Sequence, residues 1–292
     1  MQPKSKCRQI PETVFIRRTV CPQQHLGRDQ MIGVYFSGTG NSKYCIYKFL
    51  EEYQGSSPAY SIEQDETAAH IKKNDEIVIS YPVQFSCIPK ILHDYIVANQ
   101  QLWKGKKIFI LATMGLFSGD GAGVPARLLK KYGAVITGGL HLKMPNSISD
   151  DSLLKRNHKK NLLLIRNAEA KIHKAVIQIQ NGNPPQEGLW IWNQMAGLFG
   201  QRLYFSKKTK LYTDALKINS EKCTGCGLCK TICPMHNIQL ENGIAVSANR
   251  CTMCYRCVNK CPKQAITLLG KKVMRRYDIN QYLPNSTKAG NP

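Results

Sequence analysis

Eight cysteines near the C-terminal end have the types and spacing for metal chemistry. They read Cys223-Thr-Gly-Cys226-Gly-Leu-Cys229-Lys-Thr-Ile-Cys233-Pro234 and Cys251-Thr-Met-Cys254-Tyr-Arg-Cys257-Val-Asn-Lys-Cys261-Pro262. The second run is the first displaced by 28 positions, 223→251 and 233→261, and the match continues from Ile238 to Ile266 and from Leu240 to Leu268. Such a repeat implies two halves related by a local two-fold. Zinc sites and disulfides are the other uses of clustered cysteines. Zinc favours paired C-x2-C units, often with His, over four thiolates ending in Cys-Pro. Three closely spaced thiolates can instead wrap one face of an iron–sulfur cubane.

A second constellation lies where Ile32–Phe36, an apolar strand pattern, runs into Ser37-Gly38-Thr39-Gly40-Asn41-Ser42. A helix follows, with Cys45, Ile46, Phe49, Leu50 and Tyr53 on one face. The glycines let the backbone curl so that its N–H groups and the helix N-terminus point at one anion, and the hydroxyls add donors without charge. That suits a phosphate monoester in a neutral nest. It is not a Walker loop, since no Gly-Lys-Ser/Thr follows. As a dinucleotide fingerprint it lacks the third glycine, with Lys43 in its place.

These residues need a scaffold. Further strands are predicted at Ala59–Ile62, Glu76–Tyr81, Lys107–Ala112 and Ala134–Leu140, and helices at Pro89–Asn99, Gly123–Tyr132 and His158–Gln180. Strands separated by helices imply a parallel sheet with right-handed crossovers. Five strands in about 150 residues suit the doubly wound order 2-1-3-4-5, which opens a crevice at the carboxyl ends of strands one and three. Three loops face it: Ser37–Ser42, Tyr81–Pro89 and Thr113–Gly121.

With these motifs in place, two resemblances become specific. Each cysteine run resembles that of bacterial ferredoxins holding two [4Fe–4S] clusters, in which the fourth cysteine ligates the other cluster. The resemblance implies one cluster on Cys223, Cys226, Cys229 and Cys261, and another on Cys251, Cys254, Cys257 and Cys233. Tyr35–Ser42 resembles the FMN-phosphate loop of flavodoxins, and Tyr81–Pro89 and Thr113–Asp120 resemble the loops that sandwich the flavin ring. It implies FMN contacts from Ser37, Gly38, Thr39, Gly40, Asn41 and Ser42, from Pro82, Val83 and Phe85, and from Thr113, Met114, Gly115 and Phe117. The chain as a whole is similar to flavodoxin–ferredoxin fusion proteins of anaerobic bacteria. Two features depart from the pattern. Where flavodoxins stack a Trp or Tyr, these loops offer Phe85, Phe117 and Tyr81, and their one clear acid is Asp120. A basic field around FMN favours its anionic reduced forms, so higher reduction potentials than in acidic flavodoxins are expected.

The expected architecture is α/β. A flavodoxin-like, doubly wound, parallel five-stranded sheet (residues 31–182) precedes a small α+β two-[4Fe–4S] ferredoxin domain (215–270). A basic extension (1–30), a linker with an amphipathic helix (183–214) and a basic, polar tail (271–292) complete the chain, and Met31 is a candidate translation start. Twelve cysteines less these eight leave Cys7, Cys21, Cys45 and Cys87, with Cys45 expected in the core. No apolar run reaches the ~20 residues that span a bilayer, and no secretory signal is evident. Cluster thiolates need a reducing compartment, so a cytoplasmic location is expected.

The formal charge of +22 stays strongly basic after about −4 for two ligated cubanes and about −2 for FMN phosphate. It suggests a redox partner with an acidic surface and is compatible with peripheral membrane contact. Neither a helix-turn-helix nor an aromatic RNA motif is present, so no specific nucleic acid is expected. No NAD(P)H fingerprint, Ser-His-Asp arrangement or carboxylate pair stands out. The expected function is electron transfer between FMN, the clusters and a partner. The alternatives are flavin-dependent reduction of a small molecule fed by the clusters, and a ferredoxin-type carrier whose first domain has lost FMN.

Overall fold

The computed structural model describes residues 30–151, 157–190 and 215–284. The N-terminal arm with Cys7 and Cys21, residues 191–214 of the linker and the last eight residues (285–292) lie outside the described residues.

Five strands form one parallel sheet in the order β2-β1-β3-β4-β5: β1 Ile32–Tyr35, β2 Ala59–Ser61, β3 Glu76–Pro82, β4 Lys107–Met114 and β5 Val135–Lys143. Helices separate them: α1 Asn41–Gln54, α2 Thr67–Lys73, α3 Lys90–Ala98 and α4 Gly123–Lys131, with α5 His158–Gln180 after β5. Side chains alternate across a strand, so each strand feeds two cores. Val78, Phe109 and Leu111 face α1 and α5, among Cys45, Phe49, Ile165 and Ile172. Ile77, Ile79, Ile108 and Ile110 face the other way, among Ile71, Leu92, Ile96, Trp103 and Leu129. Because both faces are covered, the strands read as continuous apolar runs.

The strand and helix ends follow the sequence reading to within a few residues, with one addition. Helix α2 was not predicted. It has only seven residues and buries just Thr67 and Ile71, too short for a 3.6-residue period to show.

Residues 183–190 were assigned to a linker, yet they begin by docking on the sheet. Gly139 N donates to Pro185 O at 2.8 Å and Glu187 N to Gly139 O at 2.9 Å, which closes the β5 edge.

The second part is built from the 28-residue repeat. Strand β6 Lys217–Ile218, helix α6 Leu228–Thr231 and strand β7 Ile238–Glu241 make one half. Strand β8 Ile244–Ser247, helix α7 Arg256–Lys260 and strand β9 Ile266–Thr267 make the other. The halves are interlocked: β6 pairs antiparallel with β9, and β7 with β8. Leu216, Ile238, Val258, Ile266 and Leu268 form their shared core.

Residues 271–292 read as a basic, polar tail, and of these 271–284 pack back on the sheet domain. Val273, Tyr277 and Ile279 are buried, Tyr277 Oη donates to Asn41 Oδ1 at 2.5 Å, and Ile279 N donates to Thr39 O at 3.2 Å. Lys271, Lys272, Arg275 and Arg276 stay exposed. The polar-looking sequence hid three apolar anchors too irregularly spaced to read as an element.

Asp150, in the chain leaving β5, joins the two parts. It is 4% exposed, and its carboxylate accepts from Leu268 N at 2.6 Å, Leu269 N at 3.1 Å and Tyr255 Oη at 2.9 Å. Gly270 packs against its carbonyl so closely that a Cβ there would overlap it. Asp150→Ala would leave three buried donors unpaired and should cost about 3–5 kcal/mol, read as a lower urea midpoint.

A second prediction concerns pH. His141 on β5 is half-buried against Ser118, its Nδ1 2.7 Å from Ser118 Oγ. Burial lowers its pKa to about 4, partly opposed by Glu187 and reinforced by Lys171. The folded pKa lies below the unfolded one, so the contribution is full above the unfolded pKa and fades as pH falls towards the folded value. Between about pH 7 and about pH 5.5 the protein should lose roughly 1 kcal/mol from this source. His141→Gln should flatten that part of the stability profile, as followed by urea titration.

Candidate functional site

The interlocked halves bring the cysteines together in two groups. Cys223, Cys226, Cys229 and Cys261 line one cavity with about 380 Å³ of empty space including its mouth, together with Leu240, Ala245 and Ile266. Cys233, Cys251, Cys254 and Cys257 line another with about 370 Å³ including its mouth, together with Leu216, Ile238 and Leu268. Each cavity therefore takes three cysteines from one run and the last cysteine of the other. The crossed strand pairing forces this exchange, because the Cys-Pro end of each half lies against its neighbour.

The surroundings fit iron–sulfur ligation. Backbone amides aim at sulfur from Asn237 to Cys233 (3.3 Å), Ala245 to Cys223 (3.5 Å), Met253 to Cys251 (3.3 Å) and Ala265 to Cys261 (3.3 Å). Such donors favour the thiolate. Among the described residues, no three His, Cys, Asp or Glu side chains close on a single-ion site; the cysteines ring a wider space. Burial pushes the Cys254 thiol up to about 12, opposed by Arg256. Burial also raises Cys251, Cys257 and Cys229, so ligation there must displace protons. The cavities differ in access: Cys226 is exposed, whereas Cys251 and Cys257 are buried.

The crevice at the carboxyl ends of β1, β3 and β4 has about 1100 Å³ of empty space including its mouth. Ser37, Gly38, Thr39, Asn41 and Ser42 line one end. Pro82, Val83 and Phe85 line one side, and Thr113, Met114, Gly115 and Phe117 another. Gly40 does not line it. Instead Gly40 caps α1 at φ +95°, a left-handed conformation natural to glycine, and a Cβ there would run into Ile279.

The loops are tightly set. Ser37 Oγ accepts from Gly40 N at 3.1 Å, Asn41 Nδ2 donates to Pro145 O at 2.8 Å, and Ser42 Oγ lies 2.8 Å from Thr113 Oγ1. Ser80 Oγ donates to Ser42 O at 3.0 Å. The first amides of α1 have no partner within the helix itself, and together with the glycine loop they face the Ser37–Ser42 end. Two sequence candidates turn away. Tyr81 is fully buried and donates to Gly121 O at 2.7 Å. Asp120, also fully buried, is held by both Nη atoms of Arg127, with Nη1–Oδ1 at 3.0 Å.

The far wall of the crevice comes from the cysteine-rich part: Met253, Cys254, Tyr255 and Leu269. Cys254 thus lines both the second cysteine cavity and the crevice. Its carbonyl lies so close to Gly38 that a Cβ there would overlap it. Gln84 Nε2 reaches across to Thr252 O (2.9 Å) and Met253 O (3.2 Å). Arg256 Nη1 and Nη2 pair with the two oxygens of Glu63, each at 2.7 Å, while Nη2 also donates to Ser37 O at 2.9 Å and Nη1 to Ile232 O at 3.1 Å. Burial alone would lower the Arg256 pKa, but Glu63, with Cys254 and Cys233 beyond it, raises it. None of these crossings was legible in the sequence.

The repeat itself carries one further local signal. In the first run the left-handed positions are glycines, Gly225 at φ +63° and Gly227 at φ +76°. Twenty-eight positions on, the same conformation falls on Met253 (φ +52°) and Tyr255 (φ +60°). A non-glycine residue there costs about 1–2 kcal/mol. Both side chains are buried, at 9% and 4% exposure.

A second, more open cavity of about 1400 Å³ shares Met114, Leu116 and Phe117 with the crevice and continues past Ser118 and His141 to Trp190. No helix of the described residues is long and apolar enough to cross a membrane.

Residues 214–266 match the 4Fe-4S dicluster domain family, while no curated protein matches the chain. Similar solved structures include two-electron reduced Megasphaera elsdenii flavodoxin, 19% identical, covering 50% of this chain and 99% of that one at a TM-score of 0.37. A WrbA-like flavodoxin from Agrobacterium tumefaciens is 12% identical, covering 53% and 99% at a TM-score of 0.39. Fusobacterium nucleatum flavodoxin bound to flavin mononucleotide is 12% identical, covering 52% and 98% at a TM-score of 0.36. The chain joins a flavodoxin-like five-stranded parallel sheet to a 4Fe-4S dicluster domain.

Proposed function

We propose that this chain is an electron-transfer protein that holds FMN in the crevice and a [4Fe–4S] cluster in each cysteine cavity, and that exchanges electrons with a redox partner. The observation that carries the reading is Cys254, which lines both the second cysteine cavity and the crevice. When bound, FMN supplies one- or two-electron storage and each cluster a one-electron store.

The chain's own residues divide the work. The Gly38–Gly40 turn and the N-terminus of α1 receive the phosphate, and the Ser37 and Ser42 hydroxyls hold that turn in shape. Phe85, Phe117 and Met114 give the flavin ring an apolar lining. Cys233, Cys251, Cys254 and Cys257 hold the inner cluster beside the crevice, and Cys223, Cys226, Cys229 and Cys261 hold the outer one. The outer cavity is lined by exposed Cys226, Leu228 and Lys263, and exposed Lys222 and Lys230 are chain neighbours of its cysteines. Such a surface suits an acidic partner, with attraction that weakens as salt rises.

The open cavity beyond Phe117 favours one second reading. A small molecule seated there would lie next to the flavin site, and the protein would then be a reductase fed by its clusters. Turnover of such a compound by the reduced protein distinguishes it from a carrier.

Anaerobically purified protein should contain about eight iron, eight acid-labile sulfide and one FMN per chain. Full iron with no FMN, even after incubation with FMN, would remove the flavin half of the proposal. Cys226→Ala should reduce iron to about half while leaving FMN content unchanged, because Cys226 lies in the outer cavity, away from the crevice. Loss of FMN along with the iron would contradict the assigned order of sites.

A further inference from the structure

The left-handed residues of the second cysteine run suggest a role beyond cluster binding. Where the first run uses Gly225 and Gly227, the second uses Met253 and Tyr255 at positive φ. Cluster ligation does not require side chains at these positions, since the first run brings its cysteines to a cavity of nearly the same size with glycine at both. What differs is the neighbourhood. The Gly225 position of the first run packs against the Gly243 backbone, whereas Met253 and Tyr255 line the crevice on either side of Cys254.

We propose that Met253 and Tyr255 are flavin-binding residues supplied by the cluster-binding loop, which keeps its left-handed backbone at both positions to present them to the crevice. Met253 offers a polarisable thioether suited to contact with an aromatic ring. Tyr255 is fixed by its hydroxyl on Asp150 at 2.9 Å, so its ring is a rigid wall. Gln84 holds the Met253 carbonyl at 3.2 Å from the opposite loop, which fixes the width of the gap. The two residues flank Cys254 in the crevice wall. This inference rests on the FMN reading above and assigns the part of the flavin site that a flavodoxin-like domain alone would lack.

The test is anaerobic titration of FMN into FMN-free, cluster-loaded protein, followed by quenching of flavin fluorescence. Iron content is measured on every variant first. Met253→Gly relieves the backbone and removes the side chain; it should keep its iron and weaken FMN binding about tenfold or more. Tyr255→Leu removes the ring but keeps an apolar side chain; it should keep its iron and weaken FMN binding about tenfold. Wild-type affinity in either variant would overturn the proposal. Should Met253→Gly lose iron, Met253→Ala takes its place under the same criterion, and iron loss in both would show that the side chain serves the cluster, which also overturns it. Failure of the wild-type chain to take up FMN would defeat the function proposed above, whereas equal uptake by wild type and variants defeats this inference alone.

Discussion

A single guanidinium holds the two parts of this molecule in register. Arg256 touches Glu63 after β2, the carbonyl of Ser37 in the glycine loop and the carbonyl of Ile232 in the first cysteine run. Burying a cation there costs several kcal/mol, and only a bidentate carboxylate with further acceptors offsets it. Its four hydrogen bonds reach three separate segments of the chain. The approach of Cys254 to Gly38, and hence the distance between the second cysteine cavity and the crevice, follows from where that pair sits. Asp150 does the equivalent at the other end of the loop, by accepting from Tyr255 and from the strand-end amides of Leu268 and Leu269.

What the sequence disclosed was local chemistry. The cysteine runs, their 28-residue repeat and the glycine loop before α1 are short-range patterns whose spacing is set by the group they would hold. The parallel sheet was legible because strands buried on both faces are apolar throughout and the helices between them carry one apolar face. Long-range relations left no such trace. Nothing in the spacing of Gln84, Asp150, Arg256 or Tyr277 shows that they reach 100 residues or more along the chain, from Gln84 to Thr252 or from Asn41 to Tyr277. Tyr81 looked like a ring for stacking but lies in the core, since a strand-end residue followed by Pro82 still obeys the strand's alternation. Met253 and Tyr255 could have been noticed by aligning the two runs, because glycine replaced by bulky residues at a repeated position departs from the local rule.

Together these features describe a repeated unit whose two halves differ on the side that meets the sheet. The first cysteine run keeps its glycines and an exposed cysteine, and faces outwards. The second carries strain, buried side chains and an arginine clamp, and faces the sheet. The two-fold is thus broken at Met253, Tyr255 and Arg256, which meet the sheet domain.

The strand of chain at Pro185–Glu187 that covers β5 has a consequence for behaviour in a crowded, concentrated solution. A parallel sheet ends in rows of unpaired amides and carbonyls that invite another chain to add on. Here one border is paired by Gly139 with Pro185 and Glu187, and the opposite border, β2, is only three residues long. The sheet therefore offers little template for strand addition between molecules, and resistance to that form of aggregation is built into its two edges independently of the strong positive charge of the chain.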